Sequence, residues 1–283
     1  MPHHAAAIGE PHPDPERTPL LPSQHRYPNG SADGAAKKRP LLHRWGRHLT
    51  VHISRDWADC VLILCYFITG LLDSASISVW GSFVSMQTGN SVYIGLGLAS
   101  PTTSTRWIKS GVSVLSFCLG SFLFSRFHRR FSPHRRWVLA TSFGIQTALT
   151  AVAAALVTIA GPPGSPEEIG WFVLAPIGLV AFQACGQAVV SRALRYNALT
   201  SVVLTSVYCD LFSDAGLVAL RNVERNQRGA AVVSLLLGAF VGGRFAGSGW
   251  GVAGALWTAT VLKVVVVVVW LVWPAEETVE ETD

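Results

Sequence analysis

Three ionisable residues interrupt long apolar stretches and are the first candidates for chemistry. Asp73, Asp210 and Lys263 each lie within or beside a run that is otherwise hydrophobic. A charge placed in hydrocarbon costs about 2.5–3.5 kcal/mol on insertion scales, so each of these side chains needs a partner. We therefore predict that Lys263 pairs with Asp73 or with Asp210. Such a pair would either couple an ion to transport or fix the register of two helices.

Amide and hydroxyl side chains interrupt the apolar stretches in both halves of the chain. Gln87-Thr88-Gly89-Asn90 combines polar side chains with a glycine that permits irregular backbone. Broken helices expose carbonyls, N–H groups and helix ends, from which transporters build substrate sites at mid-membrane depth. The predicted substrate site comprises Asp73, Gln87, Thr88, Gly89, Asn90, Gln183, Gln187, Asn197 and Thr205. The alternative is that these residues only form hydrogen bonds between helices.

Sequence signatures of enzymes, metal sites and nucleic-acid binding are missing. No HExxH, GxSxG, Walker or dinucleotide-binding motif occurs, so we expect no enzymatic activity and no cofactor. Asp210 and Asp214, at i and i+4, are all that favours an intramembrane enzyme. The cysteines form no CxxC pair and the histidines lie in tails and basic loops, so no metal site is predicted. The basic residues form no groove-like patch with aromatic residues, which argues against a nucleic-acid partner.

These polar residues must be positioned by helices that span a bilayer. Of the 283 residues, 50% are hydrophobic and only 14% are charged, whereas soluble domains average about 25% charged residues. An apolar helix needs about 20 residues to cross a membrane. We predict an all-α integral membrane protein with six transmembrane helices, at 58–80, 110–127, 138–160, 171–190, 230–248 and 252–272. The segments 83–99 and 199–220, which contain polar residues, are predicted to be re-entrant or half-helical.

The distribution of basic residues predicts the orientation in the membrane. The segment 125–136 carries five arginines and is expected to face the cytosol, together with both termini. This orientation requires an even number of crossings before residue 125, which holds if 58–80 and 110–127 span the membrane and 83–99 does not. Eight crossings, the main alternative, would place 125–136 outside if the N-terminus stays inside. The six crossings divide into two halves, 57–160 and 170–273, that enter the membrane from opposite faces, so we predict a 3+3 inverted repeat.

The terminal segments lack long apolar runs. Residues 1–40 are rich in Pro, His, Gly and Ser and are predicted to be a disordered cytosolic tail. Within this tail, Glu16, Leu20 and Leu21 match an acidic dileucine sorting signal, which predicts a sorting adaptor as partner and a vacuolar membrane, with the plasma membrane as alternative. Residues 41–56 are predicted to form a basic amphipathic helix on the membrane surface. Residues 274–283 are predicted to be an acidic cytosolic tail.

Several short motifs resemble one family of membrane proteins. Gly70-Leu71-Leu72-Asp73 precedes Gln87-Thr88-Gly89-Asn90, and the block 182–187 precedes Ser191-Arg192, Tyr196-Asn197 and the block 203–211. Between residues 57 and 273 the chain resembles the YoaK family, also called DUF1275, and is similar to its fungal branch. The resemblance implies a multi-span membrane protein and implies no substrate. Related sequences are expected to have glycine where this chain has Arg195.

Two functions agree with these features. The first is a secondary transporter of an unidentified small solute, with its site between the two halves. The second is a non-transporting scaffold whose basic loops bind anionic lipid or a protein partner. In both cases the lipid bilayer surrounds the protein, and in both the chain could assemble as a homo-oligomer.

Overall fold

The computed structural model describes residues 48–161, 163–165, 167–196, 199 and 202–276, and these residues form helices and loops. In addition to helical residues 48–50, the described chain contains eight helices: α1 (Ala58–Trp80), α2 (Gln87–Ala99), α3 (Arg106–Arg130), α4 (Arg136–Ala160), α5 (Trp171–Ala193), α6 (Leu204–Phe212), α7 (Val223–Ala246) and α8 (Gly251–Val272). All except α2 and α6 are long and apolar enough to cross a membrane. The predicted all-α integral membrane fold with six spans is confirmed.

Two of the spans begin four or more residues before the apolar segments that predicted them. α3 extends beyond the predicted 110–127 at both ends, and α7 begins at Val223 rather than at residue 230. Long charged side chains near a helix end reach water while their stems stay along the apolar surface. The Asn222 side chain also caps α7, accepting a hydrogen bond of 3.0 Å from Arg225 N. The polar first turns of α7 therefore stay helical.

One face of the protein is held together by three separate chain segments. Ile53 N donates to the His134 carbonyl over 2.9 Å, and Ser54 N donates to the Pro274 carbonyl over 3.1 Å. The segment before α1, the α3–α4 connection and the chain after α8 therefore lie on the same side. We call this side the first face.

The ends of α5 and α7 also lie on the first face. Tyr196, just after α5, donates from its hydroxyl to the Arg55 carbonyl over 2.8 Å. Gln227, near the start of α7, donates from Nε2 to Asp59 Oδ2 over 2.9 Å. Because α6 lies between α5 and α7, it begins and ends on the first face without crossing.

The opposite side, the second face, is closed by a contact between two loops. Glu167, in the α4–α5 connection, accepts hydrogen bonds from Thr105 N at 2.5 Å and from Ser104 Oγ at 3.1 Å. Since α1 ends and α3 begins on this face, α2 returns to the face from which it starts. The long helices thus cross once each, α2 and α6 are re-entrant as predicted, and the alternative of eight crossings is wrong.

The predicted surface helix over 41–56 is wrong in its second half. Residues 48–50 are helical, but from residue 51 the chain leaves the helix, and His52 and Ile53 form isolated β-bridges with Arg135 and Ala275. Their backbone groups are satisfied by the α3–α4 connection and the chain after α8, so no helix is needed. Ile53 is fully buried instead of lying against lipid headgroups. The sorting motif and the predicted tails, apart from residues 274–276, lie outside the described residues.

Helix pairs repeat between the two halves of the chain. α1 packs along α7 as α5 packs along α3, α2 packs on α3 as α6 packs on α7, and α1 contacts α8 as α5 contacts α4. The pairs α1–α5 and α4–α8 are their own counterparts under this exchange. The α7–α8 hairpin is the exception, because α3 and α4 make few contacts. Since α1 starts on the first face and α5 on the second, this arrangement agrees with the predicted inverted repeat.

Glycines allow the two largest helix pairs to approach closely. A Cβ atom added at Gly238 of α7 would lie 2.0 Å from the carbonyl oxygen of Phe67 in α1. In the other half, a Cβ atom at Gly120 of α3 would lie 2.3 Å from the carbonyl oxygen of Phe182 in α5. Small residues at helix crossings are typical of membrane proteins, where packing replaces the hydrophobic effect as the force between helices.

The end of α5 explains why glycine is expected in place of Arg195. Tyr196 N donates to the Ser191 carbonyl over 2.9 Å and Arg195 N to the Arg192 carbonyl over 3.0 Å, which is a Schellman motif. The motif places Arg195 at a φ of 62°. This left-handed conformation favours glycine because a Cβ atom is strained there.

Replacing Gly238 with alanine should force α1 and α7 apart, because the added methyl group meets the Phe67 backbone. Overpacking costs roughly 1–3 kcal/mol, so the melting temperature in detergent should fall by several degrees. Gly243→Ala is the matched control on the same helix, since a Cβ there meets nothing within 4 Å. The control should melt at the wild-type temperature or slightly above it, because alanine favours helix. Equal melting of both variants would refute the close crossing.

The loop contact on the second face should make stability depend on pH. The Thr105 backbone N–H and hydroxyl both donate to Glu167 and hold the pKa of its carboxyl below the usual range. A depressed folded-state pKa contributes stability above the unfolded-state pKa, and the contribution disappears as pH falls through the folded-state value. Glu167→Gln should therefore lower the melting temperature at neutral pH and have no effect in acid.

The control for this measurement is Glu168→Gln, because the Glu168 carboxylate accepts from Gly164 N within its own loop. This variant should leave the contact between the two loops intact at every pH. If both variants show the same pH profile, the Glu167–Thr105 contact does not join the loops.

Candidate functional site

The Asp73 carboxylate closes the connection between α1 and α2. Oδ1 accepts hydrogen bonds from Val84 N at 2.8 Å and Ser85 N at 2.9 Å, and Oδ2 accepts from the Ser85 hydroxyl. Asp73 is 4% exposed. The connection has no regular secondary structure to pair these N–H groups, so the carboxylate takes the place of a backbone partner.

Asn90 anchors the start of α2 to the same connection and to α3. Its Oδ1 accepts from Phe83 N at 3.0 Å and from Ser110 Oγ at 3.2 Å. Its Nδ2 donates to the Phe83 carbonyl at 2.8 Å, to Gln87 Oε1 at 2.9 Å and to Ser113 Oγ at 3.0 Å. The Asn90 side chain is fully buried, and the protein itself uses its donors and acceptors.

Of the two remaining residues in this segment, Thr88 faces outward and Gly89 allows close packing. Thr88 is exposed, and a Cβ atom at Gly89 would lie 2.8 Å from the Phe83 ring. The structure thus places Asp73, Gln87 and Asn90 in a saturated hydrogen-bond network that fixes the re-entrant helix. This network corresponds to the alternative interpretation of the segment, hydrogen bonding within the protein.

A second set of buried polar side chains lies at the centre of the helix bundle. Lys263 of α8 donates from Nζ to Gln146 Oε1 of α4 at 3.0 Å and to Gln187 Oε1 of α5 at 3.3 Å. Gln187 Nε2 in turn lies 3.5 Å from Thr69 Oγ1 of α1. Lys263 is fully buried and lies near the middle of its helix. We call Thr69, Gln146, Gln183, Gln187 and Lys263 the Lys263 layer.

Several polar atoms of the Lys263 layer have no hydrogen-bond partner. Gln183 is fully buried, and neither its Nε2 nor its Oε1 is bonded within the described chain. Gln146 Nε2 is also buried without a partner. Gln183 lies one turn before Gln187 on the same face of α5, which places their Cβ atoms about 6 Å apart. The layer is therefore unsaturated, in contrast to the Asn90 network.

Apolar clusters close the Lys263 layer on both sides. The cluster towards the first face includes Leu139, Phe143 and Trp270, and the cluster towards the second face includes Trp80 and Leu256. Along α8, Leu256 precedes Lys263 and Trp270 follows it, so the layer lies between the two clusters. A solute at the layer would be shielded from water at both faces.

The charge pair predicted for Lys263 is not formed. The Asp73 carboxylate is occupied by the α1–α2 connection, and Asp210 is exposed on α6, which packs on α7 at the first face. Ion pairs among the described residues join Arg228 to Asp214 at 3.2 Å and to Glu224 at 3.1 Å. Lys263 therefore lies among amides rather than beside a carboxylate.

The other predicted site residues separate into three groups. Gln183 and Gln187 belong to the Lys263 layer, whereas Thr205 is exposed on α6 and Asn197 lies outside the described residues. Asp210 and Asp214 are not held together as a pair, because Asp214 binds Arg228. Within the described part of the chain, no three His, Cys, Asp or Glu side chains come together in a way that could hold a metal ion.

Two residues of the Lys263 layer, Gln146 and Thr69, were not among the predicted site residues. Gln146 is an amide inside the apolar segment 138–160, and the reasoning applied to Gln187 would have identified it as a candidate. A threonine in an apolar run gives no comparable signal in the sequence, because its hydroxyl can bond to a carbonyl of its own helix. The Thr69 hydroxyl donates in this way to the Cys65 carbonyl one turn earlier, at 2.9 Å. A threonine bonded in this way is common in membrane helices.

Removing the Asp73 carboxylate should destabilise the protein even when no substrate is present. Asp73→Ala leaves the Val84 and Ser85 N–H groups buried and unpaired, at a cost of about 1–3 kcal/mol each. Asp73→Asn should cost less, because its amide oxygen still accepts from both N–H groups. Melting temperatures of the two variants in detergent test this order. If Asp73→Ala is as stable as the wild type, Asp73 does not hold the connection.

The comparison with known proteins agrees with this architecture. The family DUF1275, a protein family of unknown function, matches residues 61–269, well over half of the chain. No curated protein matches the chain, and no solved structure matches it. The matched region contains nearly all of α1, helices α2–α7 and most of α8, and hence both the Asn90 network and the Lys263 layer. The chain therefore belongs to the DUF1275 family.

Proposed function

We propose that the protein is a secondary transporter of a small solute, without enzymatic activity, and that its substrate site is the Lys263 layer. The observation that carries this proposal is the set of unpartnered polar atoms on Gln146 and Gln183 at the centre of the bundle. Polar groups that only support a membrane fold are expected to be satisfied, as those of Asn90 are. Unpartnered groups suit a site that a solute completes.

The position of the layer between the two halves supports the same function. The layer joins α1 to α5 and α4 to α8, which are the helix pairs that map onto themselves when the halves are exchanged. Transporters with inverted repeats bind their substrate at such an interface, near mid-membrane depth. Rocking of one half against the other would open the layer to one face at a time.

The apolar clusters on either side of the layer supply the two gates. With both clusters packed, the Lys263 side chain is fully buried, which corresponds to the occluded state of a carrier. Opening the first-face gate requires Phe143 and Trp270 to separate, and opening the second-face gate requires Trp80 and Leu256 to separate.

Charge supports an orientation with the first face towards the cytosol. Arg129, Arg130 and Arg135 are exposed on this face, and cytosolic loops carry an excess of basic residues. Both ends of the described chain lie on this side, so the termini are proposed to be cytosolic. The motif of Glu16, Leu20 and Leu21 favours the vacuolar membrane over the plasma membrane, with a sorting adaptor as partner.

A measurement of whether water reaches position 183 distinguishes a transporter from a scaffold. In a variant without native cysteines, Gln183→Cys should react with a membrane-impermeant methanethiosulfonate reagent applied to reconstituted vesicles, because a carrier opens the layer to water. A scaffold that binds lipid through its basic loops has no need to open the layer, so its cysteine would stay unreactive.

Two variants control this experiment. Ser165→Cys is exposed on the second face and should react at once when the reagent is on that side. Ala231→Cys is fully buried in the cluster between α1 and α7 and should stay unreactive in folded protein. If Gln183→Cys is as unreactive as Ala231→Cys from both sides, the transporter proposal fails.

A further inference from the structure

We propose that the Lys263 layer binds a small monovalent anion, either a short-chain carboxylate or an inorganic ion. This inference deepens the proposed transport function and rests on it. It combines the charge of the layer, the chemistry of its unpartnered groups and the lack of a carboxylate paired with Lys263 in the described part of the chain.

Lys263 lacks a counter-ion among the described residues. Its Nζ contacts two amide oxygens, and it lies 5.8 Å from the centre of the Phe143 ring. Both ion pairs among the described residues involve Arg228, so neither of them includes Lys263. An ammonium group in the apolar interior is costly unless an opposite charge lies beside it. A bound anion would supply the charge that the protein does not.

The unpartnered groups of the layer are mainly hydrogen-bond donors. A lysine ammonium has three N–H groups, and two of those of Lys263 are used by the amide oxygens. Gln146 Oε1 accepts from Lys263, which fixes the orientation of this amide and leaves Gln146 Nε2 free. Gln183 offers one more donor whichever way its amide is turned, because both of its polar atoms are free. With the remaining N–H of Lys263, three side chains of the layer offer free donors, which suits the lone pairs of a small anion.

The Gln183 amide also provides one free acceptor. One free acceptor in addition to the free donors suits an anion that carries a hydroxyl group, such as a short hydroxy acid, as well as a simple anion with a bound water. The site is restricted in size, because apolar clusters pack against both sides of the layer.

Charge restricts the ligand to one negative unit. The layer contains a single basic side chain, and no acidic side chain within the described chain pairs with it. A divalent anion would bring one uncompensated negative charge into the membrane interior, and a cation would repel Lys263. Both would pay the desolvation cost without an opposing charge.

Anion binding can be measured through the melting temperature of purified protein in detergent. A zwitterionic buffer without added salt gives the baseline, and sodium chloride, nitrate, formate, acetate and lactate are titrated separately. At least one of these anions should stabilise the protein in a saturable manner. Chloride and nitrate distinguish an inorganic ion from the carboxylates. Sulfate and succinate should give no saturable stabilisation.

Three variants locate the binding site. Lys263→Met should abolish the stabilisation while the protein still folds, because the gain from removing an unpaired buried charge offsets the cost of leaving Gln146 Oε1 and Gln187 Oε1 without a donor. Gln183→Leu should weaken the apparent affinity about tenfold through the loss of one hydrogen bond. Thr150→Val is the control, since the buried Thr150 hydroxyl bonds to the Gln146 carbonyl of its own helix at 2.8 Å. This control should bind the anion as the wild type does.

The inference is overturned if none of the monovalent anions stabilises the protein, or if the stabilisation persists in Lys263→Met. In that case, the reactivity of Gln183→Cys decides whether the transporter proposal also fails. A reactive cysteine leaves the transporter proposal standing with a different substrate, whereas an unreactive one removes both proposals.

Discussion

Hydrocarbon offers no hydrogen-bond partner, so a protein that carries polar groups into a membrane must satisfy them from within. Spanning helices meet this requirement through their own backbone. The connection between α1 and α2 cannot, because it turns back inside the protein without regular structure. There Asp73 accepts from the backbone of residues 84 and 85, and Asn90 binds both polar groups of the Phe83 backbone. The re-entrant helix α2 depends on these two side chains.

The Lys263 layer departs from the same requirement. The Asn90 network and the Lys263 layer are both buried and both contain glutamine, but the first uses its donors and acceptors within the protein and the second leaves several free. This contrast within one molecule is the physical basis for proposing that the first supports the fold and the second binds a ligand. An unpaired buried polar group costs stability, and a solute that completes the layer would recover this cost.

The helix pairs divide into those that stay together and those that could separate. α1 with α7 and α3 with α5 approach so closely that a methyl group at Gly238 or Gly120 would meet the partner's backbone. The pairs α1–α5 and α4–α8, which carry the Lys263 layer, are instead joined by polar side chains and flanked by apolar clusters. In the proposed transporter, the boundary between the moving units would therefore lie at the layer, and each glycine-packed pair would move as a unit.

The sequence alone was sufficient for the number of spans, because an apolar run of membrane length has few other structures available to it. It also identified α2 and α6 as re-entrant, since polar residues in an apolar run are tolerated only within protein or beside water. Only the second half of the predicted surface helix at 41–56 was wrong, because its apolar spacing does not record that the chain from residue 51 onwards pairs with two distant segments.

The composition of the site was decided by tertiary structure. Lys263, Gln183 and Gln187 were recognised as buried polar residues, but the sequence could not show that Lys263 meets Gln146 instead of Asp73. Asp73 and Asn90 were predicted to bind a ligand, but in the structure both form hydrogen bonds to the backbone of the α1–α2 connection. Spacing along a chain reports which residues share a helix face, whereas hydrogen-bond saturation depends on which helices meet. Only the packing of α1, α4, α5 and α8 determines which polar atoms remain free.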